Sequence, residues 1–252
     1  FDHIELDLTE KGNTAKHLAI LYGENGAGKS NLMSAFVLLP ELTRTMDARA
    51  AYERILAQGA IFQDENMEKE MREHIRQRLR DMSAIIKDYQ MADCENPIIA
   101  EYEFNIDGNN GCYRVEFGQD EMLHERLEFV LNRRRGLYFD CSATGININD
   151  SIIEKEQGKE FLADVKEMAK RYWGKHSLLA ILIYEMKDKS NSFGRDNITK
   201  NFNAVLSEFR NLSCTVSMGD KSWEGLHAQL KVLNQPLSGK ISLKREHELD
   251  QV

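Results

Sequence analysis

The stretch Gly23-Glu24-Asn25-Gly26-Ala27-Gly28-Lys29-Ser30 restricts this chain more than any other. It satisfies the pattern G-x-x-x-x-G-K-[ST] at every fixed position. The flanking residues predict the setting such a loop needs. His17 to Tyr22 is a short apolar run of the kind that forms a buried strand. Ser30 to Leu39 reads as a helix with Leu32, Phe36 and Leu39 on one side and a stop at Pro40. Three glycines permit backbone angles closed to other residues, so main-chain N–H groups can close around phosphate oxygens. The helix start adds its unpaired donors and the positive end of its dipole. Lys29 is then placed to reach the β- and γ-phosphates, and the Ser30 hydroxyl to take a position on Mg2+. The expected cofactors are ATP and Mg2+. The expected nucleotide contacts are Gly23, Glu24, Asn25, Gly26, Ala27, Gly28, Lys29, Ser30 and Asn31, with Lys29 as the catalytic cation and Ser30 as the metal ligand.

The rest of the composition narrows the setting. A length of 252 residues allows one large domain or two small ones. A net charge of −8 argues against wholesale coating of nucleic acid but leaves room for a local basic groove. The longest apolar run, Leu178 to Tyr184, is too short to span a bilayer, so no membrane association is expected. The first residues are acidic rather than basic, unlike a signal peptide, and no initiator Met is present, so the start is expected to be cut away. Cys94, Cys112, Cys141 and Cys214 lack C-x-x-C spacing, which points to reduced thiols and a cytoplasmic location.

Periodicity divides the chain into four expected parts. Residues 1–60 form a phosphate-loop core, opened by a half-buried strand with Ile4, Leu6 and Leu8 in alternation and extended by a helix from Glu41 to Gln58. Residues 61–96 form a helical insertion, where Met67, Met71, Ile75, Leu79, Met82, Ile86 and Tyr89 make one stripe. Its other faces carry Arg72, Arg76, Arg78 and Arg80 among Glu68, Glu70 and Glu73; a basic ridge and a solvated, ion-paired face are both open readings. Residues 97–148 form an antiparallel β-subdomain. Ala100, Tyr102, Phe104 and Ile106 alternate with polar residues, and Asp107 to Gly111 is a hairpin turn. Tyr113, Val115 and Phe117 continue the alternation, and Met122–Leu131 and Gly136–Cys141 follow as strands around Asn132-Arg133-Arg134-Arg135. That tip is either a phosphate contact or a solvated turn. Residues 149–252 form a helical subdomain, with stripes at Phe161, Val165, Met168 and Tyr172, at Phe202, Leu206, Phe209 and Leu212, and at Trp223, Leu226, Leu230 and Leu233. Between the first two, Ser177 to Met186 is apolar enough for a buried helix, with a strand as the alternative.

The inner letters of the loop, Glu24-Asn25-Gly26-Ala27-Gly28-Lys29-Ser30-Asn31, together with the opening Phe1 to Leu8, resemble the ABC-type ATPases of the OLD, RecF and SMC branch. The resemblance implies an α/β P-loop NTPase fold, an ABC-type head with an antiparallel β-subdomain and a helical subdomain. It also implies ATP sandwiched between subunits, hence a homo-oligomer, dimeric or larger. Hydrolysis in this group needs an Asp for Mg2+ and a Glu for water at the end of an apolar strand. Leu137-Tyr138-Phe139-Asp140 is the nearest approach, but it lacks the Glu and reads as an ordinary strand end. Leu237-Ser238-Gly239-Lys240 echoes the signature loop of the group without its glutamine. The expectation is therefore an N-terminal part of a longer chain, whose remaining lobe supplies both elements.

Two uses of ATP follow. The opening, meander and helical tail resemble the ATPase subunits of PARIS-type phage-defence systems, in which an OLD-like assembly senses infection and controls a nuclease or toxin effector. The alternative is a RecF/SMC-like clamp or repair ATPase with DNA contact, for which Arg76, Arg80 and Arg133 to Arg135 are the candidates. A small-molecule kinase is the third and weakest option.

Overall fold

Alternating apolar and polar residues between Ile98 and Ile148 build five consecutive strands, each antiparallel to the next. The computed structural model describes residues 3–9, 16, 19–24, 29–47, 49–50, 82–90, 96–154, 158–188, 197–212, 215–218, 226–229 and 240–244. The five strands are β2 (Ile98–Ile106), β3 (Asn109–Phe117), β4 (Met122–Leu131), β5 (Arg134–Ser142) and β6 (Gly145–Ile148). With β1 (His3–Asp7) and β9 (Lys240–Lys244) they make a seven-stranded sheet of order β1-β9-β2-β3-β4-β5-β6. The strands β7 (Thr215–Met218) and β8 (Leu226–Gln229) form a separate pair.

Two hairpins of the meander turn through two residues with positive φ. Asp107 and Gly108 (50° and 78°) join β2 to β3, and Asn132 and Arg133 (49° and 67°) join β4 to β5. Positive φ at both central residues defines the mirror-image turn whose twist matches the strands it connects. At Gly111, an added Cβ would strike the Phe104 ring and come within 2.8 Å of Phe129, so the close approach of these aromatics requires glycine.

Helices cover one face of the sheet. They are α1 (Lys29–Leu42), α2 (Met82–Tyr89), α3 (Gly158–Tyr172), α4 (Leu178–Asp188) and α5 (Lys200–Asn211). The Thr199 hydroxyl caps α5 by accepting from the Phe202 N–H. Phe209 of α5 then meets Phe104 edge-on, with centroids 5.1 Å apart, and lies 5.5 Å from Tyr113. Phe202 meets Tyr138 at 5.3 Å. Such pairs add about 0.5–1.5 kcal/mol each beyond their area burial. The Tyr102 hydroxyl donates to the Ala35 carbonyl of α1 at 2.7 Å. The other face of the meander is polar and open.

Several expectations are corrected. Residues 19–22 form no strand, and Ile20 and Tyr22 are 76% and 93% exposed. A strand buried on both faces needs partners on both sides, and none of the seven sheet strands pairs with this run. Helix α1 does not stop at Pro40 but runs on to Leu42. Proline costs a bond only to the preceding turn, and the fully buried Leu42 holds the last turn in the core. A turn at 43–46 interrupts the expected helix Glu41–Gln58; Asp47, Arg49 and Ala50 are helical again, and residues 51–58 lie outside the described residues. The segment 149–252 is not helical throughout: Leu226 opens β8 instead of a helical stripe, and Lys240 opens β9. Ile241 and Leu243 alternate with polar residues, so β9 serves as a strand that fills the place between β1 and β2. The strand β5 begins at Arg134, two residues before its expected start, and β6 was not foreseen. The arginines of the expected insertion, Arg72, Arg76, Arg78 and Arg80, lie outside the described residues, as do Trp223, Leu230 and Leu233.

Candidate nucleotide site

Helix α1 begins with Lys29, Ser30 and Asn31. The Lys29 ammonium donates to the carbonyls of Gly23 and Glu24, both at 2.7 Å. These bonds tie the first two residues of the loop to the start of the helix. Asn25, Gly26, Ala27 and Gly28, which complete the circuit, lie outside the described residues. No acidic residue stands in the first turn of α1, so the positive end of its dipole is not offset from within the helix. A lysine with three donors at a helix start, and no carboxylate in the first turn, suit a phosphate ligand. Lys29 and the start of α1 fit a phosphate group; a nucleoside triphosphate with Mg2+ would be held there by Lys29 and Ser30, the metal supplying the charge that polarises the terminal phosphate.

The far end of α1 is tied to the start of α4. Ser177 donates its hydroxyl to the Leu42 carbonyl at 2.6 Å, and its N–H donates to the Thr45 hydroxyl at 3.3 Å. The same Ser177 hydroxyl accepts from the Ala180 N–H at 3.0 Å and so caps α4. Beside it, Glu125 of β4 is fully buried. Its carboxylate accepts from the Leu178 N–H at 2.6 Å, the Tyr113 hydroxyl at 2.9 Å and the Trp173 indole at 3.0 Å, with the Leu179 N–H at 3.4 Å. Burial raises the Glu125 pKa, and the four donors act against that rise. This anchor was missed in the sequence, although the signal is there: Glu125 stands in phase with Leu127 and Phe129 on the buried face of β4.

No family model, curated protein or solved structure matches this chain.

The open face of the sheet carries the remaining charges. Asp140, the end of the apolar run on β5, accepts from Arg126 at 2.6 Å and sits 2.8 Å from His124. It is engaged in this face and is not brought to the start of α1. Glu128 accepts from Arg126 at 3.0 Å and from Arg135 at 2.7 Å. Partial burial alone would raise the Glu128 pKa, but the bonds and charges of the two arginines outweigh it and hold the carboxyl below its ordinary range. Arg133 and Arg134 are exposed at the hairpin tip. The Cys112 thiol is pushed up to about 12, chiefly by burial, and Cys141 is fully buried, so neither is a ready nucleophile. No helix among the described residues is long and apolar enough to cross a membrane.

Proposed function

We propose that this chain binds ATP with Mg2+ on the Gly23–Ser30 loop and works as an ATPase whose nucleotide-dependent homo-oligomer controls a partner nuclease or toxin effector. The observation that carries the nucleotide site is the Lys29 ammonium drawn over the loop onto the Gly23 and Glu24 carbonyls at the head of α1. In this reading Gly26 and Gly28 give the phosphates access to main-chain N–H groups, Lys29 counters their charge, and Ser30 holds the metal. The anchoring of α1 by Tyr102 and Ser177 supports a role for nucleotide in assembly. A ligand at the start of a helix that is bonded to β2 through Ala35 and to α4 through Leu42 is coupled to what those elements contact.

Lys29→Ala is expected to weaken Mg-ATP binding by about 100-fold or more, as measured by calorimetry, since charge-assisted bonds to phosphate are lost. Retained micromolar affinity in that variant would falsify the assignment. The control role is tested by the mass of the assembly made when the protein is expressed with its genomic neighbours, with and without Mg-ATP. A large assembly retaining a neighbour-encoded nuclease is the expected result; a bare dimer under both conditions rejects effector control.

A further inference from the structure

We infer that the β4–β5 hairpin tip is a docking element for duplex nucleic acid, entering a groove with Arg133 and Arg134 against its phosphates and Arg135, shared with Glu128, on the other side of the ribbon. The inference does not rest on the nucleotide site. Arg134 and Arg135 are successive strand residues, paired across the hairpin with Leu131 and Val130, so they face opposite sides of the ribbon. Arg133 lies between them and the turn residue Asn132, at the apex. One triphosphate needs cations that converge on a point, whereas a groove offers phosphate on both sides. The major groove, about 12 Å wide, admits a two-stranded ribbon.

Three further observations agree. Arg133 occupies the second central position of the turn at a φ of 67°, where the neighbouring hairpin has Gly108. Arg133 therefore stands in a backbone conformation that glycine adopts without strain. Arg133 and Arg134 have no hydrogen-bond or ion-pair partner among the described residues, while Arg126 and Arg135 are held by Glu128. The chain as a whole carries a net charge of −8, so three consecutive exposed arginines are a local departure from its composition.

The test uses the whole chain without nucleotide and a fluorescein-labelled DNA duplex, read by anisotropy between about 50 and 200 mM salt. The double variant Arg133→Gly, Arg134→Gln is expected to lose roughly 10- to 100-fold in affinity and about two units of the log–log salt slope. Because Arg133→Gly relieves the turn, its unfolding midpoint is expected to be unchanged or raised, which separates binding from folding. The inference is overturned if wild type does not bind at the lowest salt, if the double variant keeps affinity and slope, or if a single strand of equal length binds as tightly. It is also overturned if the variant keeps duplex affinity but loses ATP-dependent self-association, which would assign the tip to a second copy of the chain.

Discussion

Glu125 and Glu128 stand three residues apart on β4, on opposite faces of one strand, and the sheet treats them in opposite ways. Glu125 is fully buried against the helices and is met by neutral donors from β3, the end of α3 and the start of α4. Glu128 is on the open face and is met by two arginines that water also reaches, their side chains 39% and 43% exposed. The difference teaches where this molecule keeps its rigidity. A buried carboxylate costs free energy to desolvate and is tolerable only while every donor around it stays in place. An exposed ion pair is weak because solvent competes for both partners.

The largest effect is therefore expected at Glu125. Glu125→Ala leaves four donors without their acceptor, two of them at the start of α4, and should cost about 3–5 kcal/mol in urea unfolding. Glu125→Gln sharpens the case. Its shape is conserved, but its amide N–H groups would face other donors, so most of that loss should remain. If the glutamine variant matches wild type in stability, the picture of an acceptor-only carboxylate is wrong.

Acid and base should also act oppositely on the pair. The Glu125 pKa is raised above its ordinary value of 4.5 because burial outweighs the four donors. The stability favoured by its neutral form is therefore complete below that value and is lost as pH rises through the folded pKa, where the donors offset only part of the cost of the charge. The Glu128 pKa is lowered, so its contribution is present above 4.5 and is lost as pH falls through the folded pKa. Glu128→Gln should lower stability at neutral pH by only about 0.5–1 kcal/mol, because Arg126 keeps Asp140 and Arg135 is solvated. Unfolding free energies from about pH 3 to pH 7 should show a shallower acid-side fall in this variant than in wild type. An unchanged acid limb would remove Glu128 from the account.

The same contrast explains what was legible in the sequence. The meander announces itself because period-two alternation decides which face of a strand is wet, and nothing distant is needed to read it. Helix α5 follows from Phe202, Leu206, Phe209 and Leu212, all buried as local pattern predicts, and the apolar run Ser177 to Met186, open between helix and strand in the sequence, forms α4. The Gly23–Ser30 pattern needs nothing distant to be read as a phosphate loop, because the pattern lies in consecutive residues. Local pattern failed where long-range pairing decides. The apolar run at Ile20 to Tyr22 looks like a strand but pairs with no other among the described residues. Residues 240–244 pair across the chain with β1 and β2, a contact no local period announces. Glu125 was hidden for a related reason: its donors at Trp173 and Leu178 are about fifty positions away.

The smallest effects are expected at the two turns, where open and covered faces no longer matter and only the backbone counts. Asp107-Gly108 and Asn132-Arg133 have nearly the same angles, so each is a control for the other. A Cβ at Gly108 would meet nothing within 4 Å, so Gly108→Ala carries only the conformational cost of a left-handed residue, about 1 kcal/mol. Arg133→Gly removes that cost from the second hairpin but adds freedom to the unfolded chain. The net gain should be a few tenths to about 1 kcal/mol in thermal or urea unfolding. Opposite signs at the two positions would show that one backbone rule governs both tips. A loss of stability in Arg133→Gly would mean that the arginine makes an intramolecular contact worth more than the strain it carries.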